Sequence, residues 1–293
     1  MTKSQSGTDM TRKKGTFRLL LGVVVCIGIV TLSSALEREP QKKQPDRGPR
    51  DTGSVLVFSK TGWYRHPENA AINGWLARLS DDLGMQVDVT ETAGDLTKIL
   101  DRYKVLVLNN TTELTKALTE EQRAKVEKWY KAGGGIVALH AALVHQTKWK
   151  WFSELGGCDF NSDSDYLEAR VIVDPKAKNH PAVRGFGPTF TYKADWTNHD
   201  RSVTGRPGVQ VLLRVDESTY QPVREGFKNR GGKPMGKDHP IAWINTRNNG
   251  RFFYTELGHD VRSLDTPFGR QHIIAAIRWA ARVKEKPAKT RGR

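Results

Sequence analysis

Apolar residues fall along the chain in two textures. In the first half they come as short unbroken runs, VLVF at residues 55–58, VLVL at 105–108 and IVAL at 136–139, separated by stretches of helical periodicity. Runs of this length suit strands covered on both faces, and the stretches near residues 69–83, 95–103 and 119–131 suit the helices that cover them. MQVDVTE at 85–91 supplies another strand. The helix at 119–131 carries its own start signal, because Thr119-Glu120-Glu121-Gln122 is a capping box: a hydroxyl and an amide three residues apart satisfy the first free backbone groups. Gly133-Gly134-Gly135 ends it. Strand and helix alternate, which predicts a doubly wound, mainly parallel sheet. The second half is less regular, with strands expected at 169–174, 207–216, 239–245 and 250–257 before a closing helix over 268–283. No internal repeat is visible, so these strands are expected to complete or extend the same sheet in one domain over residues 53–283.

A different pattern precedes that domain. Residues 1–18 carry five Lys/Arg and one acid and lead into an apolar run from Leu19 to Leu32, closed by Ser33-Ser34-Ala35. This is the order of a secretory leader, with cleavage expected after Ala35; alternatively residues 17–36 have the length of an uncleaved membrane anchor. Either reading exports the domain to the periplasm or cell envelope. Cys26 follows Val25 where a lipid attachment site wants a small residue, so it reads as an apolar member of the run. Residues 36–52 are rich in Pro and charge, as a solvated linker is, and residues 284–293 form a basic tail.

This layout changes the meaning of the net charge of +15, of which +4 lies in residues 1–18, +2 in 37–50 and +5 in 282–293. Only +4 remains for residues 51–281. A nearly balanced core lacks a basic groove, so nucleic acid is not an expected partner, and the membrane is expected to be touched only through the N-terminal segment. A homo-oligomer is compatible with the composition. Without the leader, Cys158 is the only cysteine and no internal disulfide can form.

In an open parallel sheet, ligands sit beyond the carboxyl ends of the strands. Unusual polar and aromatic residues collect there: Lys60, Trp63 and His66 after the first strand, Asn109 and Asn110 after the third, His140 after the fourth, and Glu256, His259 and Asp260 after a late one. His140 and His259 are candidates for proton transfer, with Asp260 as an orienting carboxylate. The alternative for His140 is a hydrogen-bonded residue at a packed strand end. Trp63, Tyr64 and Trp196 suit stacking on sugar rings, or packing. No HExxH, Cys-pair, Walker or GxGxxG pattern is present, and bulky residues follow Ser59-Lys60-Thr61-Gly62 where a flavin phosphate loop would need small ones. No organic cofactor is therefore expected, and a divalent metal stands as an alternative use of the histidines.

The segments VLVFSKTGWYRH, VLVLNNTT, GGGIVALHAA, WFSELGGCDF, HPAV, DHPIAW and GRFFYTELGHD, with the closing AIRWAA, occur in one order over residues 53–281. Together they resemble the ThuA-like family, named for trehalose utilisation, within the class I glutamine-amidotransferase-like superfamily. The resemblance implies a flavodoxin-like three-layer α/β/α sandwich and a carbohydrate or keto-sugar ligand. The superfamily often places a nucleophilic Cys at the turn where this chain has Leu139-His140-Ala141, so glutaminase chemistry is excluded. After HPAV, relatives commonly carry an Asp-Glu-x-Tyr-like segment; here Ala194-Asp195-Trp196-Thr197 puts Asp195 in the Glu position, one methylene shorter. Asp195 joins the candidate catalytic residues and Trp196 the substrate-binding ones. The resulting expectation is general acid–base chemistry on a sugar, with a non-catalytic sugar-binding module or an envelope interaction protein as alternatives.

Overall fold

The computed structural model describes residues 53–284. The expected leader, its cleavage or anchoring, the linker and the tail beyond Lys284 lie outside the described residues. Among the described residues, no helix is long and apolar enough to cross a membrane.

The described residues form eleven strands: β1 (Ser54–Phe58), β2 (Gln86–Thr90), β3 (Val105–Asn109), β4 (Gly135–Leu139), β5 (Phe160–Asp163), β6 (Leu167–Val173), β7 (Thr189–Ala194), β8 (Thr197–His199), β9 (Val209–Asp216), β10 (Pro240–Asn245) and β11 (Arg251–Thr255). Nine make one sheet in the order β2-β1-β3-β4-β11-β10-β9-β6-β7, and β5 with β8 forms a separate antiparallel ribbon. The five strands from β2 to β11 run parallel; β10, β9, β6 and β7 extend the sheet antiparallel. The architecture is a flavodoxin-like α/β sandwich with a parallel centre.

The two textures of the sequence arise from this order. β3 and β4 are buried at every position, so each residue must be apolar or neutral. Alternate residues face opposite layers. Val55, Val105 and Val137 meet Ile72, Trp75 and Leu76 of helix Asn69–Arg78 and Ile273 and Ile277 of helix Pro267–Ala280. Leu56, Leu106 and Ile136 meet Val126 and Trp129 of helix Glu120–Lys131, with Phe152 of helix Lys150–Gly156. β2 is an edge strand, partly exposed throughout, which is why it carries Gln86 and Asp88. In β6 and β7 buried and exposed positions alternate, as expected where one face of an antiparallel sheet meets water.

The capping box forms as expected, with Thr119 Oγ1 accepting from Gln122 N at 3.3 Å and Gln122 Oε1 accepting from Thr119 N at 2.9 Å. Two helices are shorter than their periodicity implies. The one expected over 69–83 breaks after Arg78 and resumes at Ser80–Leu83, ending at Gly84 in the left-handed region. The one expected over 95–103 is a single turn, Asp95–Lys98, followed by the tighter turn Leu100–Arg102, because Ile99 leaves helical geometry. Strands β5 and β8 are too short and polar to show an apolar pattern, whereas β7 goes unpredicted although Phe190, Tyr192 and Ala194 alternate with polar residues.

Candidate functional site

Four parallel strands deliver the site. Beyond β1 the chain runs over residues 59–66 to His66, a course that depends on Gly62: its amide bonds Thr112 O at 2.7 Å, and a Cβ there would stand 2.1 Å from the Glu113 carbonyl. Beyond β3, Asn110 adopts a left-handed φ of 52° and its amide works as a clamp. Its Nδ2 donates to Gly258 O at 2.8 Å and its Oδ1 accepts from Ala141 N at 3.2 Å. Asn110 therefore ties the turn carrying His140 to the loop carrying His259. Asn109 sits one layer deeper, donating to Asn73 Oδ1 and Asn69 O. Beyond β4, His140 also has a positive φ, 44°, and its carbonyl accepts from Tyr254 Oη at 3.0 Å. Such backbone is strained for a residue with a Cβ and is kept only where its surroundings fix it.

Three imidazoles meet here. The ring centroids of His66, His140 and His259 stand 5.0 to 5.1 Å apart in every pairing. His140 Nε2 is 3.2 Å from His259 Nδ1, and Asp195 reaches in from between β7 and β8 with Oδ2 2.8 Å from His259 Nδ1 and 3.7 Å from His140 Nε2. His66, His140 and Asp195 are buried, while the His259 side chain is 41% exposed. Burial, reinforced by the neighbouring imidazoles, drives His66 down to about 2. Burial also lowers His140, against the pull of Asp195. For His259 burial opposes protonation, but the Asp195 carboxylate prevails and raises it; the two histidines in turn hold Asp195 below the usual carboxylate range despite its burial. One environment thus separates imidazoles kept neutral from one that favours its proton.

Over this floor lies a cavity of about 330 Å³, within the range of small-molecule sites. Trp63 and Tyr64, both about half exposed, stand at its rim with Phe160 and Phe227 among its walls. Asp163 and Arg224 face it as an ion pair in which Arg224 Nε and Nη2 donate to the two carboxylate oxygens. Burial pushes the Asp163 carboxyl up to about 6, outweighing the opposing guanidinium. A larger concavity of about 550 Å³ lies elsewhere, lined by Arg184, Arg251, Arg270 and Arg278 without a histidine or carboxylate. Arg251 opens β11, whereas the histidine site is at that strand's other end, so the smaller cavity is where the chemistry can occur.

His66, His140, His259 and Trp63 line the cavity, and Asp195 lies beneath it. Other expected site residues are placed differently. Asp260 turns to Arg262, bonding its amide and guanidinium, so the carboxylate paired with His259 is Asp195. Trp196 is fully buried, donating from its indole to Leu167 O at 3.2 Å, and serves as packing. Lys60 is outside the lining, and Asn109 acts only through its neighbours. Glu256 is buried behind the site, 3.4 Å from His199 Nε2 and 3.8 Å from His239 Nε2. Asp163, Arg224, Phe160 and Phe227 are additions that sequence reasoning misses. They come from the β5–β8 ribbon and the turn near helix Glu225–Lys228, and no local pattern marks them.

A parallel-centred α/β sandwich with a histidine-lined cavity at its strand ends fits a glutamine-amidotransferase-like domain, with His140 at the turn after β4. Within that class, the chain belongs to the ThuA family, described as trehalose utilisation, whose family model matches residues 54–280. Solved structures agree on the fold. A ThuA-like protein from Bacteroides uniformis superposes with a TM-score of 0.65 at 23% identity, covering 82% of this chain and 95% of its own. One from Parabacteroides merdae gives 0.57 at 18% identity, covering 80% and 93%. No curated protein matches the chain in sequence.

Proposed function

We propose that the domain acts on a carbohydrate or keto-sugar by histidine and carboxylate general acid–base chemistry. The observation that carries this reading is the convergence of His140, His259 and Asp195 within 3.7 Å at the floor of an aromatic-rimmed cavity. The family's description as trehalose utilisation supports a carbohydrate as the substrate class. A sugar ring lies against Trp63 and Tyr64, whose apolar faces match its C–H surface, with hydroxyls directed at the polar floor and at Arg224 and Asp163. A ketone acidifies the adjacent C–H, so an imidazole at the floor takes that proton, and Asp195 fixes the orientation of His259. Isomerisation and elimination begin with such a transfer, and hydrolysis of a keto-glycoside follows when the enolate expels the protonated aglycone and water adds to the resulting enone. The leader is taken to export the domain; an N-terminal sequence beginning at Leu36 in the mature protein tests its cleavage.

The test is turnover on a panel of glycosides and 3-keto-glycosides. His140→Asn is the informative variant, since Asn tolerates the left-handed backbone at this position. The expected result is turnover of a keto-glycoside that falls by about 10²- to 10⁴-fold in His140→Asn and His259→Ala. Binding without turnover by the unaltered protein identifies a sugar-binding module instead.

A further inference from the structure

We propose that His66, His140 and His259, with Asp195 as a fourth donor, form a binding site for one divalent transition metal of the zinc type. Nitrogen ligands about 2.0–2.1 Å from a metal stand roughly 3.4 Å apart in a tetrahedral shell and roughly 3.0 Å apart when adjacent in an octahedral one. His140 Nε2 and His259 Nδ1 are 3.2 Å apart, between those values. Asp195 Oδ2 lies 2.8 Å from one nitrogen and 3.7 Å from the other, again bracketing the expected spacing. The third imidazole completes the set, the nearest donor atoms of all three rings lying within 4.8 Å of one another.

A second observation points the same way. Two other buried histidines bond through both ring nitrogens, His272 to Ala182 O and Thr255 Oγ1 and His239 to Glu217 and Thr197 O, whereas buried His199, beside Glu256, has neither nitrogen hydrogen-bonded. In the cluster itself, His66 and His140 are buried and the Nδ1 of each has no hydrogen-bond partner among the described residues. Unsatisfied buried polar groups are costly and uncommon. Three imidazoles and one carboxylate form a donor set suited to zinc, cobalt or nickel rather than magnesium, which prefers oxygen and retained water. The half-exposed side of His259 opens the cluster to the cavity, so an ion can enter from there. A metal at this position polarises a carbonyl or hydroxyl oxygen. A nitrogen that binds the metal cannot also take a proton, so in the metal-loaded protein the general-base role given above to an imidazole passes to Asp163, the carboxyl that faces the cavity.

Metal binding is measured without any sugar, so it stands or falls separately from the function proposed above. The full chain is stripped with a chelator, dialysed and titrated with Zn²⁺, Co²⁺ and Mg²⁺, monitoring heat and, for Co²⁺, the visible ligand-field bands. One equivalent of Zn²⁺ or Co²⁺ binds, and Mg²⁺ does not compete. His66→Ala and His259→Ala each weaken binding at least tenfold, while His180→Ala, remote from the cluster, leaves it unchanged. His259→Ala alters a half-exposed loop residue and remains informative if a buried substitution misfolds. Absence of Zn²⁺ and Co²⁺ binding, or equal binding by the unaltered chain and His259→Ala, overturns the proposal.

Discussion

Replacing Glu217 with Gln isolates one buried charge behind the site. His239 is fully buried, with Nδ1 2.8 Å from Glu217 Oε1 and Nε2 2.8 Å from the carbonyl of Thr197, a residue that lines the cavity. Burial alone would strip its proton, but the carboxylates of Glu217 and Glu256 outweigh it and lift the imidazole to about 9. Against an ordinary value near 6.5 this is worth about 3 kcal/mol. Because the folded state holds the proton more tightly, this stability is fully present below pH 6.5 and is lost as pH rises towards 9. The depressed Glu217 carboxyl expresses the same contact and is not counted again. His66, His180 and His272 act oppositely: burial holds them at about 2, 4 and 4, so unfolding takes up protons below pH 6.5 and acidification destabilises. Stability therefore peaks near pH 6.5. Urea unfolding monitored by tryptophan fluorescence from pH 6 to 9 should show an alkaline decline approaching 3 kcal/mol, and a much shallower one in Glu217→Gln. His259 adds a smaller contribution shared by both proteins, since its side chain is 41% exposed. The substitution also lowers the whole curve, because Glu217 accepts from Met235 N and Gly236 N, so the slope and not the offset is diagnostic. Parallel curves would refute the argument.

Two further substitutions probe the rim. Trp63→Ala removes a half-exposed ring that lines the cavity and touches His145 at 4.6 Å; it should leave the melting temperature unchanged and weaken sugar binding about 2- to 12-fold, the equivalent of roughly 0.5–1.5 kcal/mol of ring contact. Unchanged affinity in a ligand titration would remove Trp63 from the site. Gly62→Ala forces a Cβ to 2.1 Å from a backbone carbonyl that has no room to swing, so it should cost about 1–3 kcal/mol and weaken ligand binding by displacing residues 63–66. A thermal midpoint equal to that of the unaltered protein would contradict this.

The parallel half of the fold was legible because its strands are buried on both faces, which leaves the sequence no freedom for polar residues at positions such as Val107 or Val137. The ribbon was not: Phe160-Asn161-Ser162-Asp163 pairs with only three residues, and nothing local distinguishes such a pair from loop. The same division runs through the site. His66, His140 and His259 are placed by their positions at strand ends, and Asp195 by the family pattern. Asp163 and Arg224 are far apart in sequence and are brought together only by tertiary packing. Trp196 shows the converse, since an aromatic near polar residues reads the same whether it stacks on a ligand or, as here, fills the core.

The sharp turn at His140 is a socket whose occupant can be exchanged while its surroundings stay fixed. Its left-handed backbone, held by Tyr254 and by Asn110 through Ala141, presents whichever side chain stands there to the cavity. The chain continues from it as the short tight turn His140–Leu143 and not as an α-helix, so no row of aligned amide dipoles lies behind it. A cysteine placed in this socket would lack the helix terminus that helps to generate a thiolate, and would have His259 as the neighbour able to favour one. Changing residue 140 to cysteine would therefore supply a nucleophile without the helix dipole behind it, leaving its activation to the imidazoles of the site.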